Sequence, residues 1–176
     1  MVISDRMGTR YGKARQDAPG AVRIIATGRR LVQPAFTRER TRVFHDLSAA
    51  IDGAELIVIG PSNPIVSIGP ILALPGVEEA LQAADAPVVA VSPIIAGKAL
   101  KGPADRMLAS LGHESTALGV ARLYDGLVRR FVIDDADAAL AGTIESETAM
   151  TVAVLPTVMR TDDDRASLAR SLLDLA

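Results

Sequence analysis

Apolar and polar residues follow each other along this chain in blocks that predict strands and helices in turn. Short apolar runs rich in β-branched residues predict strands at residues 21–26, 56–59, 88–91, 131–133 and 151–155. Apolar residues at helical spacing predict helices at residues 38–51, 75–84, 103–111, 137–144 and 164–175. Gly112 is predicted to end the third of these helices, and the acidic residues 162–164 to cap the last. Strands separated by helices indicate an α/β fold with a Rossmann-like, mostly parallel sheet and flanking helices. Such sheets bind ligands at the loops that follow the strands.

The 176 residues divide into an irregular basic head, residues 1–38, and an α/β domain, residues 39–176. Residues 1–42 carry ten Lys/Arg and three Asp/Glu, a balance of +7, whereas the rest carries nine basic and eighteen acidic residues, a balance of -9. A basic head suits a phosphate ligand or an acidic partner. Its Gly, Arg, Asp and Pro content favours the alternative of a solvated, poorly ordered lead-in.

Composition excludes several classes of function. The formal net charge is -2, aromatic residues make up 3% and Trp is absent, which argues against nucleic-acid binding. The absence of Cys excludes disulfides and thiolate chemistry. No apolar run reaches the length of a membrane span, and the N-terminus lacks the apolar core of a signal peptide. A soluble cytoplasmic protein is therefore expected.

The richest candidate site is the loop after the apolar strand at 56–59. It combines backbone freedom with uncharged donors, in the residues Gly60, Pro61, Ser62, Asn63, Ser67, Ile68 and Gly69. Glycines allow close approach of a ligand, and free amides near residues 67–69 would point from a helix start towards an anion. This pattern predicts a phosphate cradle without a lysine. The alternative is a rigid turn whose Ser and Asn side chains cap the next helix.

A second loop, after the strand at 88–91, carries Lys98 and Lys101 between Gly97 and Gly102. Both loops are expected at the same edge of the sheet, where the lysines would neutralise phosphate charge. Two further interpretations stay open, namely solvated surface lysines and a mobile closing loop.

Other polar residues have two interpretations each. Asp134, Asp135 and Asp137 follow a strand and suit a magnesium ion, but acidic capping of a helix is favoured. Arg122 and Tyr124 are candidates for ligand contact, whereas packing against the sheet is the more common fate of a tyrosine.

The region from Ala54 to Pro103 contains G-P-S-N-P-x-x-S-I-G-P-I-L and then P-V-V-A-V-S-P-I-I-x-G-K-A-L-K-G-P. It resembles the CofD family of 2-phospho-L-lactate transferases. The segments at 119–124, 131–134 and 157–159 extend the likeness. The resemblance covers residues 39–176.

The resemblance implies a transferase of coenzyme F-420 biosynthesis. Such enzymes move a 2-phospholactyl or phosphoenolpyruvyl group from a guanosine diphosphate donor to the deazaflavin Fo, and they require Mg²⁺. The family's loops line the donor site, which places Gly60 to Asn63 and Ser67 to Gly69 there, with Lys98 and Lys101 beside them. The regulatory YvcK-like proteins of the wider superfamily supply the alternative, a non-catalytic nucleotide- or nucleotide-sugar-binding module.

Two family motifs are missing from the sequence, G-G-T-G and the acidic N-T-G-D-D; here Thr27-Gly28 is followed by Arg29-Arg30. The chain is therefore expected to correspond to the C-terminal half of the family, without its N-terminal strands or metal ligands. Weak or no turnover is expected from it alone, because the metal takes a large share of this chemistry. An exposed sheet edge would favour a homo-oligomer or association with a separate N-terminal half.

Overall fold

Residues 47–176 are described here from a computed structural model. The strand expected at 21–26 lies outside these residues, as do the basic head and the beginning of the helix expected at 38–51. Residues 47–52 are helical, which confirms the end of that helix.

Within residues 47–176, four strands form one sheet in which each neighbouring pair is parallel. They lie side by side in the order β1 (Ile57–Ile59), β2 (Val88–Val91), β5 (Arg130–Ile133) and β6 (Thr151–Val154). Each predicted strand of this region is present to within one residue. The short strands β3 (Ile94–Ile95) and β4 (Lys98–Ala99) form a separate antiparallel hairpin. The predicted α/β fold with a parallel sheet is confirmed.

Alternation along the strands sends side chains into two cores. One cluster lies on the face of Ile57, Ile59, Phe131 and Ile133, where most of the helices pack. The other face carries Val89, Val91 and Val132 against Leu168 and Leu172 of the last helix. Because both faces are buried, β2 is apolar throughout and β5 is apolar after Arg130, rather than alternating.

The described helices flank this sheet. Besides the helical residues 47–52, they are α1 (Gly69–Leu72), α2 (Val77–Ala83), α3 (Ala104–Ser110), α4 (Ala117–Leu123), α5 (Ala141–Glu147) and α6 (Asp162–Leu173), with a π-helical turn at Pro64–Ile68 and a 3₁₀ turn at Asp135–Leu140. Among residues 47–176, no single helix is long and apolar enough to cross a membrane. One bent pair, Pro64–Leu72 with Val77–Ala83 at 82°, meets the length and composition requirement jointly.

Capping explains where several helices begin and end. Gly112 has φ +81° and ends α3, with the amides of Gly112 and His113 donating to the carbonyls of Ala109 and Leu108. This arrangement is a Schellman motif and confirms Gly112 as the predicted stop. Thr161 and Asp164 form a capping box at the start of α6, which confirms the acidic cap expected there.

Three elements were not predicted: the helical segment from Pro64 to Leu72, the hairpin β3–β4, and α4. Helix α4 is hidden in the sequence because five of its seven residues are buried, so no polar face marks its period. Its start is set by Thr116, whose hydroxyl accepts a hydrogen bond from the amide of Gly119 at 3.0 Å.

Gly119 is more tightly enclosed than the other glycines compared within residues 47–176. A Cβ placed there would lie 2.0 Å from the backbone oxygen of Glu114, which cannot move aside like a flexible side chain. We expect Gly119→Ala to lower the free energy of unfolding by about 2–3 kcal/mol. Thermal denaturation should show a fall in Tm of roughly 5–10 °C.

Gly142→Ala is the matched control, because Gly142 also lies in a short helix but a Cβ there meets nothing within 4 Å. We expect it to be neutral or to stabilise by up to about 1 kcal/mol. Equal Tm values for the two variants would contradict the packing described for α4.

Candidate functional site

The carboxyl ends of the four parallel strands place four loops along one edge of the sheet. These loops follow Ile59, Val91, Ile133 and Val154. They contain all the residues that the sequence proposed for a phosphate site. This edge is where open parallel sheets bind their ligands.

The first loop is organised by Asn63. Its Oδ1 accepts hydrogen bonds from the amides of Ile65 at 2.9 Å and Val66 at 3.2 Å. Pro64 follows as the first residue of the π-helical turn, where its missing N–H is harmless. The capping alternative is therefore confirmed for Asn63.

The free amides expected near residues 67–69 are not free. The amides of Ser67 and Ile68 donate to the carbonyl of Asn63, both at 3.1 Å, and the amide of Gly69 donates to that of Pro64. The prediction was wrong because the loop winds into a helical turn at Pro64 and uses these donors internally. Main-chain donors at residues 67–69 are thus unavailable to an anion.

Side chains remain available in this loop. The hydroxyls of Ser62 and Ser67 are half-buried and have no hydrogen-bond partner within residues 47–176. The Nδ2 of Asn63 donates only to the sulfur of Met107, at 3.4 Å, and thioether sulfur is a weak acceptor. The loop can therefore present two hydroxyls and one amide group to an oxyanion.

The remaining residues proposed in this loop shape it. Gly60 accepts a hydrogen bond from the amide of Ser62 at 2.7 Å, and Pro61 is exposed beside it. Ile68 is buried in the core. A Cβ on Gly69 would lie 3.0 Å from the backbone oxygen of Pro64, so a larger residue there would crowd the turn.

The second loop is a hairpin. The hydroxyl of Ser92 both donates to the carbonyl of Ile94, at 2.8 Å, and accepts from its amide, at 3.1 Å. The connection between β3 and β4 is the pair Ala96 (φ +48°) and Gly97 (φ +78°). Positive φ at both central residues is the geometry of a type I′ turn.

Two long-range hydrogen bonds hold this hairpin. Both carboxylate oxygens of Asp137 accept from the amide of Ala96, at 3.2 and 3.0 Å. The hydroxyl of Ser115 donates to the carbonyl of Gly97 at 3.2 Å. These bonds favour a fixed element over the mobile closing loop considered for this segment.

Lys98 and Lys101 are exposed on and just after the hairpin. Within the described part of the chain, neither forms an ion pair. Lys98 belongs to β4 and has a defined backbone position, opposite Ile95. An exposed ammonium group without an ion-pair partner fits both the proposed anion contact and the alternative of a solvated surface lysine.

The third loop is tied to the fourth by Asp134. Its Oδ2 accepts from the amide and the hydroxyl of Thr157, each at 2.9 Å, and its Oδ1 accepts from the amide of Ala136 at 3.1 Å. Burial raises the pKa of Asp134, but these three donors outweigh it and hold the pKa below its ordinary value. The favoured capping role is confirmed for Asp134.

The described residues do not fit the Mg²⁺ that the resemblance implies. No group of three or more His, Cys, Asp or Glu side chains is placed to hold a metal ion within residues 47–176. Asp134 and Asp137 direct their carboxylates to protein N–H and O–H groups, and those contacts compete with a cation.

Two other candidate contacts lie away from an open site. Tyr124 is 2% exposed, burial raises its pKa, and its hydroxyl has no hydrogen-bond partner in the region described. Packing is thus the confirmed role of this side chain. Arg122 makes ion pairs with Glu147 at 2.6 Å and Glu114 at 3.2 Å on the surface.

Hydrogen bonds and packing join the four loops into one framework. Asn63 contacts Met107 of α3, and α3 packs against β4. The hairpin is bound to Asp137, three residues from Asp134, which holds Thr157. Sequence reasoning missed Asp137 as an anchor; a carboxylate shortly after a strand was its only signal.

This fold and edge define an α/β protein whose candidate ligand site lies at the carboxyl ends of parallel strands. The chain belongs to the CofD family: the model described as 2-phospho-L-lactate transferase CofD matches residues 14–166. The resemblance carried by the two loop motifs is confirmed.

Its relatives include transferases named for two related groups. The chain is 45% identical over 128 residues to a phosphoenolpyruvate transferase of Streptomyces griseus, covering 72% of this chain and 40% of the relative. It is 40% identical over 125 residues to a 2-phospho-L-lactate transferase of Methanocaldococcus jannaschii, covering 71% and 38%. A phosphoenolpyruvate transferase of Kitasatospora aureofaciens is 38% identical over 181 aligned positions, covering 99% and 53%.

The chain thus spans about two fifths to one half of the length of these relatives. A crystal structure of a Bacillus halodurans protein matches with a TM-score of 0.47 and 21% identity, over 73% of this chain and 46% of its own. The family match begins at residue 14. The likeness to the family therefore extends into the basic head, although the sequence motifs had indicated it only for residues 39–176.

The Asp134 bonds make stability depend on pH. Because its folded-state pKa is lowered, Asp134 stabilises the fold at neutral pH, and this contribution is lost as pH falls from about 4 through the folded pKa. We expect Asp134→Asn to lower the free energy of unfolding at pH 7 by about 2 kcal/mol, because Thr157 loses an acceptor. Denaturant titrations should show this deficit shrinking towards pH 3.

Asp85→Asn is the control, since Asp85 is exposed and makes no side-chain hydrogen bond in the described region. It should unfold like the wild-type chain at both pH values. A deficit for Asp134→Asn as large at pH 3 as at pH 7 would contradict this assignment.

Proposed function

We propose that this chain supplies the donor- and phosphate-binding edge of a transferase in coenzyme F-420 biosynthesis. The transferred group is 2-phospholactyl or phosphoenolpyruvyl, the donor is its guanosine diphosphate conjugate, and the acceptor is the deazaflavin Fo. Membership of the CofD family and the names of its relatives support this proposal.

The observation that carries it is a set of unpaired donors at the carboxyl edge. The hydroxyls of Ser62 and Ser67 and the ammonium groups of Lys98 and Lys101 lack partners among the described residues. Hydroxyls orient phosphate oxygens, and lysines neutralise their charge. Side chains, rather than the main-chain amides of residues 67–69, would therefore hold the donor.

The chemistry consists of one displacement. The terminal hydroxyl of Fo forms a bond to the phosphorus of the transferred group, the bond from that phosphorus to the bridging oxygen breaks, and GMP leaves with the electron pair. The hydroxyl proton must pass to a base. Such reactions depend mainly on positioning and on neutralising negative charge. Lys98 and Lys101 would offset charge on the diphosphate.

The described residues are better suited to binding the donor than to activating the attacking hydroxyl. They form no metal cluster, and the best-placed carboxylates of the third loop, Asp134 and Asp137, are occupied by hydrogen bonds. When bound elsewhere in the assembled enzyme, Mg²⁺ would supply further charge neutralisation. We therefore propose weak or no turnover by this chain alone. Its partner would be a second copy or a separate polypeptide in the cytoplasm.

Titration calorimetry with GDP, with and without Mg²⁺, tests the site. We expect Lys98→Ala to weaken GDP binding about tenfold, because a charge-assisted contact to phosphate is lost. The double variant Ser62→Ala, Ser67→Ala should weaken it by a similar factor.

Arg170→Ala is the control. It also removes one positive charge, but Arg170 lies in the last turn of α6 and is not part of the candidate site. Its affinity should match the wild-type value. Absence of GDP binding by the wild-type chain would contradict the proposal. Binding with no turnover after addition of Fo, donor, Mg²⁺ and any separate partner polypeptide would favour a nucleotide-binding module.

A further inference from the structure

We propose that Asp137 is a positioning residue that fixes the turn of the β3–β4 hairpin and thereby places Lys98 against the donor phosphate. The inference rests on the proposed function, since it assigns a task to a lysine of that site. Nothing in the sequence pattern singled out Asp137 for this task, because it lies 41 residues from the amide it binds.

The contact has the character of an anchor. Asp137 is only 7% exposed, and the amide of Ala96 lies between its two carboxylate oxygens, at 3.2 and 3.0 Å. A hydrogen bond to a buried carboxylate is stronger than one between neutral groups. Asp137 itself lies in the 3₁₀ turn that Asp134 caps, so its own backbone is held.

The turn needs such an anchor. Ala96 has φ +48°, a conformation that alanine adopts at a cost and that Gly or Asn would adopt readily. The local sequence Ala96-Gly97 therefore specifies the type I′ turn less firmly than Asn-Gly would. The tertiary bond from Asp137 compensates for this weakness.

Lys98 is the site residue whose backbone position depends on the turn that Asp137 binds. It follows the turn directly and pairs with Ile95, and the carbonyl of Gly97 before it accepts a hydrogen bond from Ser115. Its side chain is exposed and has no ion-pair partner within residues 47–176. A fixed backbone lowers the entropy lost when the ammonium group meets a phosphate.

Whether removal of Asp137 strengthens or weakens GDP binding distinguishes positioning from simple electrostatics. Removing a carboxylate near an anion site should strengthen anion binding by Coulomb's law. If Asp137 acts through the turn, its removal weakens binding instead. A merely structural role would change stability, but it would not make the effect depend on Lys98.

A double-mutant cycle on the full chain tests this, with the dissociation constant for GDP and Mg²⁺ measured by calorimetry. We expect Asp137→Ala to weaken binding on the order of tenfold and to have no further effect in the Lys98→Ala background. Adding Ala96→Gly to Asp137→Ala should restore affinity to within about threefold of wild type, because glycine adopts positive φ unaided. Asp135→Ala, which removes an exposed carboxylate of the same 3₁₀ turn, should leave affinity unchanged or slightly tighter.

Additive effects of Asp137→Ala and Lys98→Ala would overturn the inference, and so would unchanged GDP affinity in Asp137→Ala. If Asp137→Ala does not fold, the variant with Ala96→Gly is measured in its place, and a loss of binding that persists in it is equally decisive. A wild-type chain that binds neither GDP nor inorganic pyrophosphate would overturn the proposed function and this inference together. If the wild-type chain binds GDP but the Asp137→Ala and Lys98→Ala effects are additive, or Asp137→Ala leaves the affinity unchanged, only the inference about Asp137 is overturned.

Discussion

Parallel pairing of four short strands is the constraint on which the rest of this molecule depends. It brings the ends of β1, β2, β5 and β6 to one edge, so that four loops distant in sequence become neighbours. Two buried carboxylates, Asp134 and Asp137, then tie the later loops to the hairpin and to Thr157. The candidate site is therefore built on a scaffold whose backbone donors are largely used internally, which leaves side chains to meet a ligand.

Much of the architecture follows from the sequence because its signals are local. The apolar runs at 56–59 and 88–91 have no polar alternation, which is typical of strands buried on both faces, and the structure places them in the sheet. Gly112 and the acidic start of α6 mark helix ends that the structure confirms. The family, likewise, was carried by two short loop motifs and confirmed over residues 14–166.

The site was harder to predict because its details depend on tertiary contacts or on competing local bonds. Ser67 and Gly69 suggested free amides, but Asn63 and Pro64 begin a helical turn that uses them. The hairpin at Ala96 could not be foreseen, since its turn has an unfavourable residue held by a distant carboxylate. The proposed site residues therefore lie at the expected edge of the sheet, but the main-chain amides assigned to anion binding are used within the loop.

The central claim is that the side chains at this carboxyl edge bind a nucleoside diphosphate. Its most direct test is an NMR titration of the isotopically labelled chain with GDP and Mg²⁺, following every amide. The account predicts that the largest shifts lie at residues 60–69 and 96–101, with little change at residues 128–130 beside the start of β5. Shifts concentrated at that opposite edge, or none at saturating GDP, would contradict it.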